Sequence, residues 1–270
     1  MEILVCVKRV PGTGSSITLT ADGQAVDTRH LAFTIGPHEE CAVEEAVRIV
    51  AAHGGSVTVL AVGPPEVDEQ LRYALSMGAD RAVRVEARVD HGRKLVNDGG
   101  LPIFSHDQQR EVDTEAAAAA IVQAVGELET SFDLVLFGNE SADAGNYQVG
   151  IRVAHALGLP IVGGVKGVEV GDGHVRLHRQ VPDGVAVYEA ALPAAAAVKE
   201  GLNLPRYPSM RGRLRAAKAQ IRTVAADVPA GGLRTLRLRL PAVEKQSETV
   251  QLGNGADAAP AVVDLLEELL

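Results

Sequence analysis

The chain has 270 residues, 46% of them hydrophobic, enough for one large α/β domain with appendages or for two small ones, of which the first is the simpler reading. A formal net charge of −9 and the lack of any useful Lys/Arg run argue against a nucleic-acid binder, and no apolar stretch approaches the roughly 20 residues of a membrane span. With 3% aromatic residues and no tryptophan, the core has to be assembled from Ala, Val and Leu, as where helices lie on a parallel sheet. Glu2 to Val7 (EILVCV) predicts a buried strand, ending in Lys8, Arg9 and the turn Pro11-Gly12, so its carboxyl end is basic. No signal-peptide layout precedes it, and Cys6 and Cys41 form neither a disulfide framework nor a metal site; a reducing cytoplasm is expected. SITLTADGQAVDT, with a hairpin turn at Asp22-Gly23, reads as an excursion outside the main sheet. Pro37 then opens a helix whose apolar face is Ala42, Val43, Ala46, Val47, Val50 and Ala51. Its glutamates, Glu39, Glu40, Glu44 and Glu45, are most simply a solvated face rather than acid–base or metal chemistry. Ser56 to Val62 is strand, about Glu66 to Met77 helix closed by Gly78, and Asp80 to Glu86 strand again, the alternation of a doubly wound parallel sheet. Residues 87–110 break the pattern and read as an exposed insertion; His91 and His106 lie there without partners at ligand spacing. Helix resumes over about Val112 to Leu128, where an alanine run permits close packing on the sheet.

The next stretch, DLVLFGNESADAGNYQVGIRVAHALGL from Asp133 to Leu159, predicts a buried strand stopping at Gly138, a polar loop and an amphipathic helix from Tyr147. Gly158 before Pro160 ends that helix. The loop stands at the carboxyl end of a parallel strand and at a helix N-terminus, where ligands of open α/β sheets bind and phosphate is favoured. An ordinary strand-to-helix connection has the same spacing, so the pattern alone leaves both readings open.

After Pro160 the alternation of Val165 to Val170, Val175 to Val181 and Val185 to Ala191 predicts antiparallel strands, separated by Gly171-Asp172-Gly173 and Pro182-Asp183-Gly184. Ala194 to Val198 returns to the main sheet. A turn-rich loop with Leu202 and Leu204 then leads into a basic helix from about Ser209. Residues 228–258 lack a period, and Val262, Val263, Leu265, Leu266 and Leu269 mark a short amphipathic helix. The expected division is a domain over 1–227 and an arm over 228–270. Composition allows the arm either to reach a partner or to fold back.

LVCVKRVP, GPHEECAVEEAVRI, ALSMGADRAVRV, LFGNESADAGNYQVG and GLNLPRYPSMRGRLRAAK, in this order, resemble the β subunit of electron transfer flavoprotein over nearly the whole chain apart from 87–110. The resemblance implies a doubly wound, mostly parallel α/β sheet of the adenine-nucleotide-binding, universal-stress-like superfold, with an antiparallel addition and a C-terminal arm. It further implies a heterodimer with an α subunit that holds most of a redox-active FAD. The β chain would be an electron carrier subunit without substrate turnover of its own, binding AMP, or a second FAD in bifurcating members, and docking flavin-dependent dehydrogenases. The nucleotide neighbourhood implied here is Cys6, Gly36, Val62, Gly138, Ser141, Asp143, Ala144, Tyr147, Gln148 and Val149. Family members usually carry asparagine at the position of Gly36, an acid at that of Ala144 and often threonine near Val149. Each departure removes a hydrogen-bonding group worth roughly 0.5 to 1.5 kcal/mol. The pattern resembles a divergent branch, such as one dedicated to a single redox pathway like that of mycofactocin.

The resemblance also makes LNLPRY the dehydrogenase-docking loop, comprising Leu202, Asn203, Pro205, Arg206 and Tyr207, with Leu202 entering an apolar pocket of the partner and the arm contacting the α subunit. Read from the residues alone, Leu202 belongs to no helix or strand period, and packing beneath its own loop explains it as well. The competing reading is a stand-alone nucleotide-binding protein of the universal-stress or ATP-pyrophosphatase kind. It lacks support: KRVPG stands where an SGGxDS-type loop would follow the first strand, and no GxSxG elbow appears.

Overall fold

Glu2–Cys6 (β1) lies at the middle of a nine-stranded sheet formed by the described residues of a computed structural model, which are 1–12, 14, 16–90, 112–232, 236–241 and 250–269. In chain order follow Val10–Pro11 (β2) and Phe33–Thr34 (β3), a small antiparallel pair, then Pro37–His53 (α1), Ser56–Val62 (β4), Asp68–Met77 (α2) and Arg81–Asp90 (β5). Thr114–Glu127 (α3), Leu134–Gly138 (β6), Val149–Ala156 (α4) and Ile161–Val170 (β7) come next. His174–Val181 (β8), Gly184–Ala191 (β9), Ala194–Val198 (β10), Met210–Lys218 (α5), Ile221–Pro229 (β11) and Ala259–Leu269 (α6) complete the order.

The sheet order is β11-β5-β4-β1-β6-β10-β7-β8-β9, parallel from β11 to β7 and antiparallel through β8 and β9. Successive β1 residues point to opposite faces, and both faces are covered, so the strand is apolar throughout. Ile3 and Val5 join Val43, Val59, Leu71 and Leu136 under α1 and α2; Leu4 and Cys6 join Leu60, Ala120, Phe137 and Val153 under α3 and α4. Alanines 116, 120 and 124 of α3 are buried, as its close packing requires, and Asp113 caps the helix by accepting from the Glu115 and Ala116 N–H groups. The chain leaves β1 toward β4 on one side and meets β6 on the other, which makes their carboxyl ends the crevice of a doubly wound sheet.

Three boundaries differ from expectation. β5 runs past Glu86 to Asp90 because β11 pairs with it in parallel as far as Pro229. β11 itself escaped the sequence reading: it has only Val224, Ala226 and Val228 as buried residues, alternating with polar or exposed ones on an edge strand. α4 begins at Val149, since Tyr147 has φ 56°, a left-handed conformation no helical residue adopts. Residues 91–111, with His91 and His106, lie outside the described residues.

By contacts the chain divides into two units, Met1–Ile17 with Asp27–Thr235, and Thr18–Val26 with Leu236–Leu270. In the second unit Leu19 bridges Val26 around the Asp22-Gly23 turn, the Leu238 N–H donates to the Gly23 carbonyl (2.9 Å), and α6 buries none of its residues.

Candidate functional site

At the carboxyl end of β6 the Asn139 N–H donates to the Val198 carbonyl at 2.8 Å, and Asn139 Oδ1 accepts from the Gly164 N–H at 2.7 Å. The start of the following loop is thereby fixed to β10 and β7. Further on, Gly145 N–H closes a turn onto the Ser141 carbonyl (3.0 Å) and Asp143 Oδ1 accepts from the Ala144 N–H (2.8 Å). Across the crevice, the basic end of β1 supplies Lys8, whose Nζ lies 2.6 Å from Asp143 Oδ2. Burial pushes the Asp143 carboxyl up, but the Lys8 ammonium outweighs it and holds the group below its ordinary range. The loop and the first turn of α1 enclose an open cleft of about 340 Å³, lined by Pro37, His38, Glu140, Ser141, Ala142, Asp143, Ala144 and Gly145.

His38 ties this cleft to the loop after β10. The Glu200 N–H donates to His38 Nδ1 at 2.9 Å, which leaves Nε2 to carry the hydrogen of the neutral ring, 3.5 Å from Glu140 Oε1. A second cavity, of about 320 Å³, lies between α2 and α5. It is away from the strand ends, and Arg72 beside it is already committed to the Ala216, Ala217 and Ala219 carbonyls.

Of the residues implied for nucleotide, Ser141, Asp143 and Ala144 line the cleft. Gly36 and Gly138 stand at its back. Cys6 is buried, and burial pushes its thiol far up, so it takes no part as a thiolate. Val62 and Val149 pack against the core face under α3 and α4, while Tyr147 and Gln148 are exposed. Gln148 Oε1 accepts from Arg152 Nε at 3.3 Å. These four are not among the lining residues.

The expectation of a solvated glutamate face on α1 needs correction. Glu39 and Glu44 are buried. Glu44 lies under Arg206 and Arg48, accepting from Arg206 Nε at 2.7 Å and Nη2 at 3.1 Å and from Arg48 Nε at 2.6 Å. Glu39 turns the other way, toward β6, where burial, with a smaller push from nearby Asp143, raises its carboxyl to about 7. The sequence gave no sign of this beyond the two glycines that make room for it, Gly36 and Gly138.

The loop after β10 is fastened along the same helix. Asn203 Nδ2 donates to the Cys41 carbonyl (3.0 Å) and to Glu45 Oε2 (2.9 Å), and Arg48 Nη2 donates to the Leu204 carbonyl (3.1 Å). Leu202 does not stand free as expected: it is half-buried and packs against the core, with Pro205 also half-buried. The exposed apolar side chains here are Leu204 at 84%, Tyr207 at 82% and Met210 at 73%. The Arg213 guanidinium lies 5.0 Å from the centre of the Tyr207 ring.

The electron transfer flavoprotein domain family matches this chain over residues 25–92 and 103–229. Electron transfer flavoprotein subunit beta of Mycobacterium tuberculosis (strain ATCC 25618 / H37Rv) is 35% identical over 225 residues, covering 82% of this chain and 77% of the relative. The protein of the same name from Bacillus subtilis (strain 168) is 29% identical over 273 residues, with 98% and 97% covered. Protein FixA of Azorhizobium caulinodans is 31% identical over 277 residues, with 97% and 91% covered. A doubly wound sheet with an antiparallel extension, matched along most of its length by these relatives, places the chain in the electron transfer flavoprotein family, as a β subunit.

Proposed function

We propose that the chain works in a heterodimer with an electron transfer flavoprotein α subunit, scaffolding the FAD that the α subunit mainly holds, binding an adenine nucleotide in a structural role, and docking flavin-dependent dehydrogenases. The FAD supplies the electron chemistry of such a complex. The observation that carries the nucleotide reading is the cleft at the switch point between β1 and β6, with Lys8 at its edge and two helix N-termini beside it that have no side-chain cap. Uncapped N–H groups of α1 and α4 and the Lys8 ammonium fit a phosphate; Ser141 and the backbone of 140–145 would hold the rest of a nucleotide.

For docking, the exposed side chains of Leu204, Tyr207 and Met210 are the contacting groups, and Asn203, Arg206 and Leu202 hold the loop that presents them. The C-terminal residues, with the exposed apolar stripe of α6, meet the α subunit. Co-expression with the α subunit, followed by denaturing extraction and mass spectrometry, tests the reading. The expected result is a yellow complex with one adenine nucleotide beyond its FAD. A complex with FAD alone would remove the nucleotide role, and a stable, catalytically active monomer without flavin would overturn the whole assignment.

A further inference from the structure

We propose that Glu39 is a proton-linked selectivity group at the back of the cleft: an anionic nucleotide binds with Glu39 neutral, so that binding takes up one proton from solvent. This rests on the nucleotide reading above and adds to it which protonation state of the protein binds.

The placement of the carboxyl carries the inference. Glu39 is only 4% exposed, and its Oε2 has no hydrogen-bond partner. A Cβ at Gly36 would collide with that oxygen, and one at Gly138 would come within 2.9 Å of the Glu39 Cγ and Cδ atoms. The two glycines therefore form a slot, one at the N-cap of α1 and one at the end of β6, that only a residue without a side chain leaves open. Ala142, which lines the cleft, is 3.7 Å from the same Cβ position at Gly36, so carboxyl and cleft wall meet there. A buried polar atom without a partner is costly to keep and invites a ligand group or a proton to satisfy it.

The surrounding charges decide which. From β1 the facing group is Lys8, from the loop after β6 it is Asp143, and from α1 itself Glu40; His38 and Glu140 stand at the cleft rim. Lys8 is already shared with Asp143 at 2.6 Å. An ionised Glu39 would thus oppose a phosphate at the α1 N-terminus without a cation of its own, whereas the neutral acid removes the repulsion and supplies an O–H donor. The step is a protonation, carboxylate plus a solvent proton giving carboxylic acid, and no other bond changes. The raised value of about 7 puts this change within reach of ordinary conditions.

The test uses the full chain purified with its α subunit and stripped of loosely held nucleotide, titrated calorimetrically with AMP at pH 6 and pH 8. The wild type is expected to bind about tenfold more weakly at pH 8, the ratio a single group titrating near 7 imposes. Glu39→Gln, with the same shape and no charge, is expected to lose that tenfold, with only the shallower dependence from the phosphate, His38 and Glu140 left. Adenosine, which has no phosphate, should show little dependence in either protein. Should Glu39→Gln fail to fold, wild-type heats in two buffers of different ionisation enthalpy give the proton uptake directly, expected to be larger for AMP than for adenosine at pH 8. Equal pH dependence in wild type and variant, or equal uptake for the two ligands, sinks the proton linkage while leaving nucleotide binding intact. No binding of AMP or adenosine at either pH sinks the nucleotide reading as well.

Discussion

Glu39 and Glu44 are the same residue type on the same helix, both buried, and their surroundings drive them apart. At Glu44 burial opposes ionisation, but hydrogen bonds from Arg206 and Arg48 outweigh it and hold the carboxyl below its ordinary range. The stability it contributes is present above that range and is lost as pH falls through the lowered value. Both arginines are partly exposed, which screens the pairs, so Glu44→Gln is expected to cost about 1 to 2 kcal/mol in urea unfolding at pH 7. No change would mean that the arginines find equivalent partners in solvent. Glu39 has the opposite sign. Its folded value, raised from 4.5 to about 7, means that the folded chain binds this proton more tightly than the unfolded one. The associated stability is complete below 4.5, declines as pH rises, and is gone above about 7. The shift corresponds to roughly 3 kcal/mol across that window, as an order of magnitude. Unfolding measured at pH 5 and pH 8 should show a shallower decline in Glu39→Gln than in the wild type, and identical slopes would assign the decline to other groups.

Among the elements, the loop between β10 and α5 separates holding from presenting. Leu202 packs on the core, so Leu202→Ala is expected to lower stability by roughly 1.5 kcal/mol while leaving dehydrogenase-driven flavin reduction near normal. Leu204→Ala and Tyr207→Ala should do the reverse, weakening reduction about tenfold at subsaturating complex with unfolding unchanged. A docking defect confined to Leu202→Ala would reinstate that leucine as the anchor. The contrast also shows where sequence was readable. β1, β4, β6 and β10 announce themselves because both sheet faces are covered and a continuous apolar run has no other use. β11 does not, because an edge strand needs only three inward residues, set here among arginine, threonine and aspartate. The orientation of Leu202, Glu39 and Glu44 was illegible for a different reason: each is decided by a residue distant in sequence. Gly138 stands about a hundred positions after Glu39, and Arg206 reaches Glu44 across 162. Helical spacing predicts which face a residue occupies, but it does not say what the tertiary neighbour on that face will be.

At the scale of the whole molecule the open question is what the C-terminal residues do. α6 has 11 residues, a length at which an isolated helix is marginal in water, and its side chains Val262, Val263, Leu265, Leu266 and Leu269 are exposed. A helix of this kind gains little by forming unless its apolar stripe is covered, and a heterodimeric partner is the cover that the family supplies. Truncation after Pro229 keeps all of β11, and with it the pairing that completes the edge beside β5, while removing Leu236–Leu270 of the second unit. It also deprives the turn at Gly23 of the hydrogen bond from Leu238 and Gln24 of its bond to the Leu236 carbonyl. The truncated chain is therefore expected to unfold within about 1 kcal/mol of the full chain, since only exposed or marginal contacts are lost. Its association with the α subunit should fall by two orders of magnitude or more, because five apolar side chains each contributing even a fraction of the roughly 1.5 kcal/mol of full burial would exceed the 2.7 kcal/mol which that change requires. Sedimentation or size-exclusion of the co-expressed pair, with flavin absorbance as the second reading, measures both quantities. A truncated chain that still co-purifies stoichiometrically with a yellow α subunit would assign the interface to the sheet domain and leave α6 to another role.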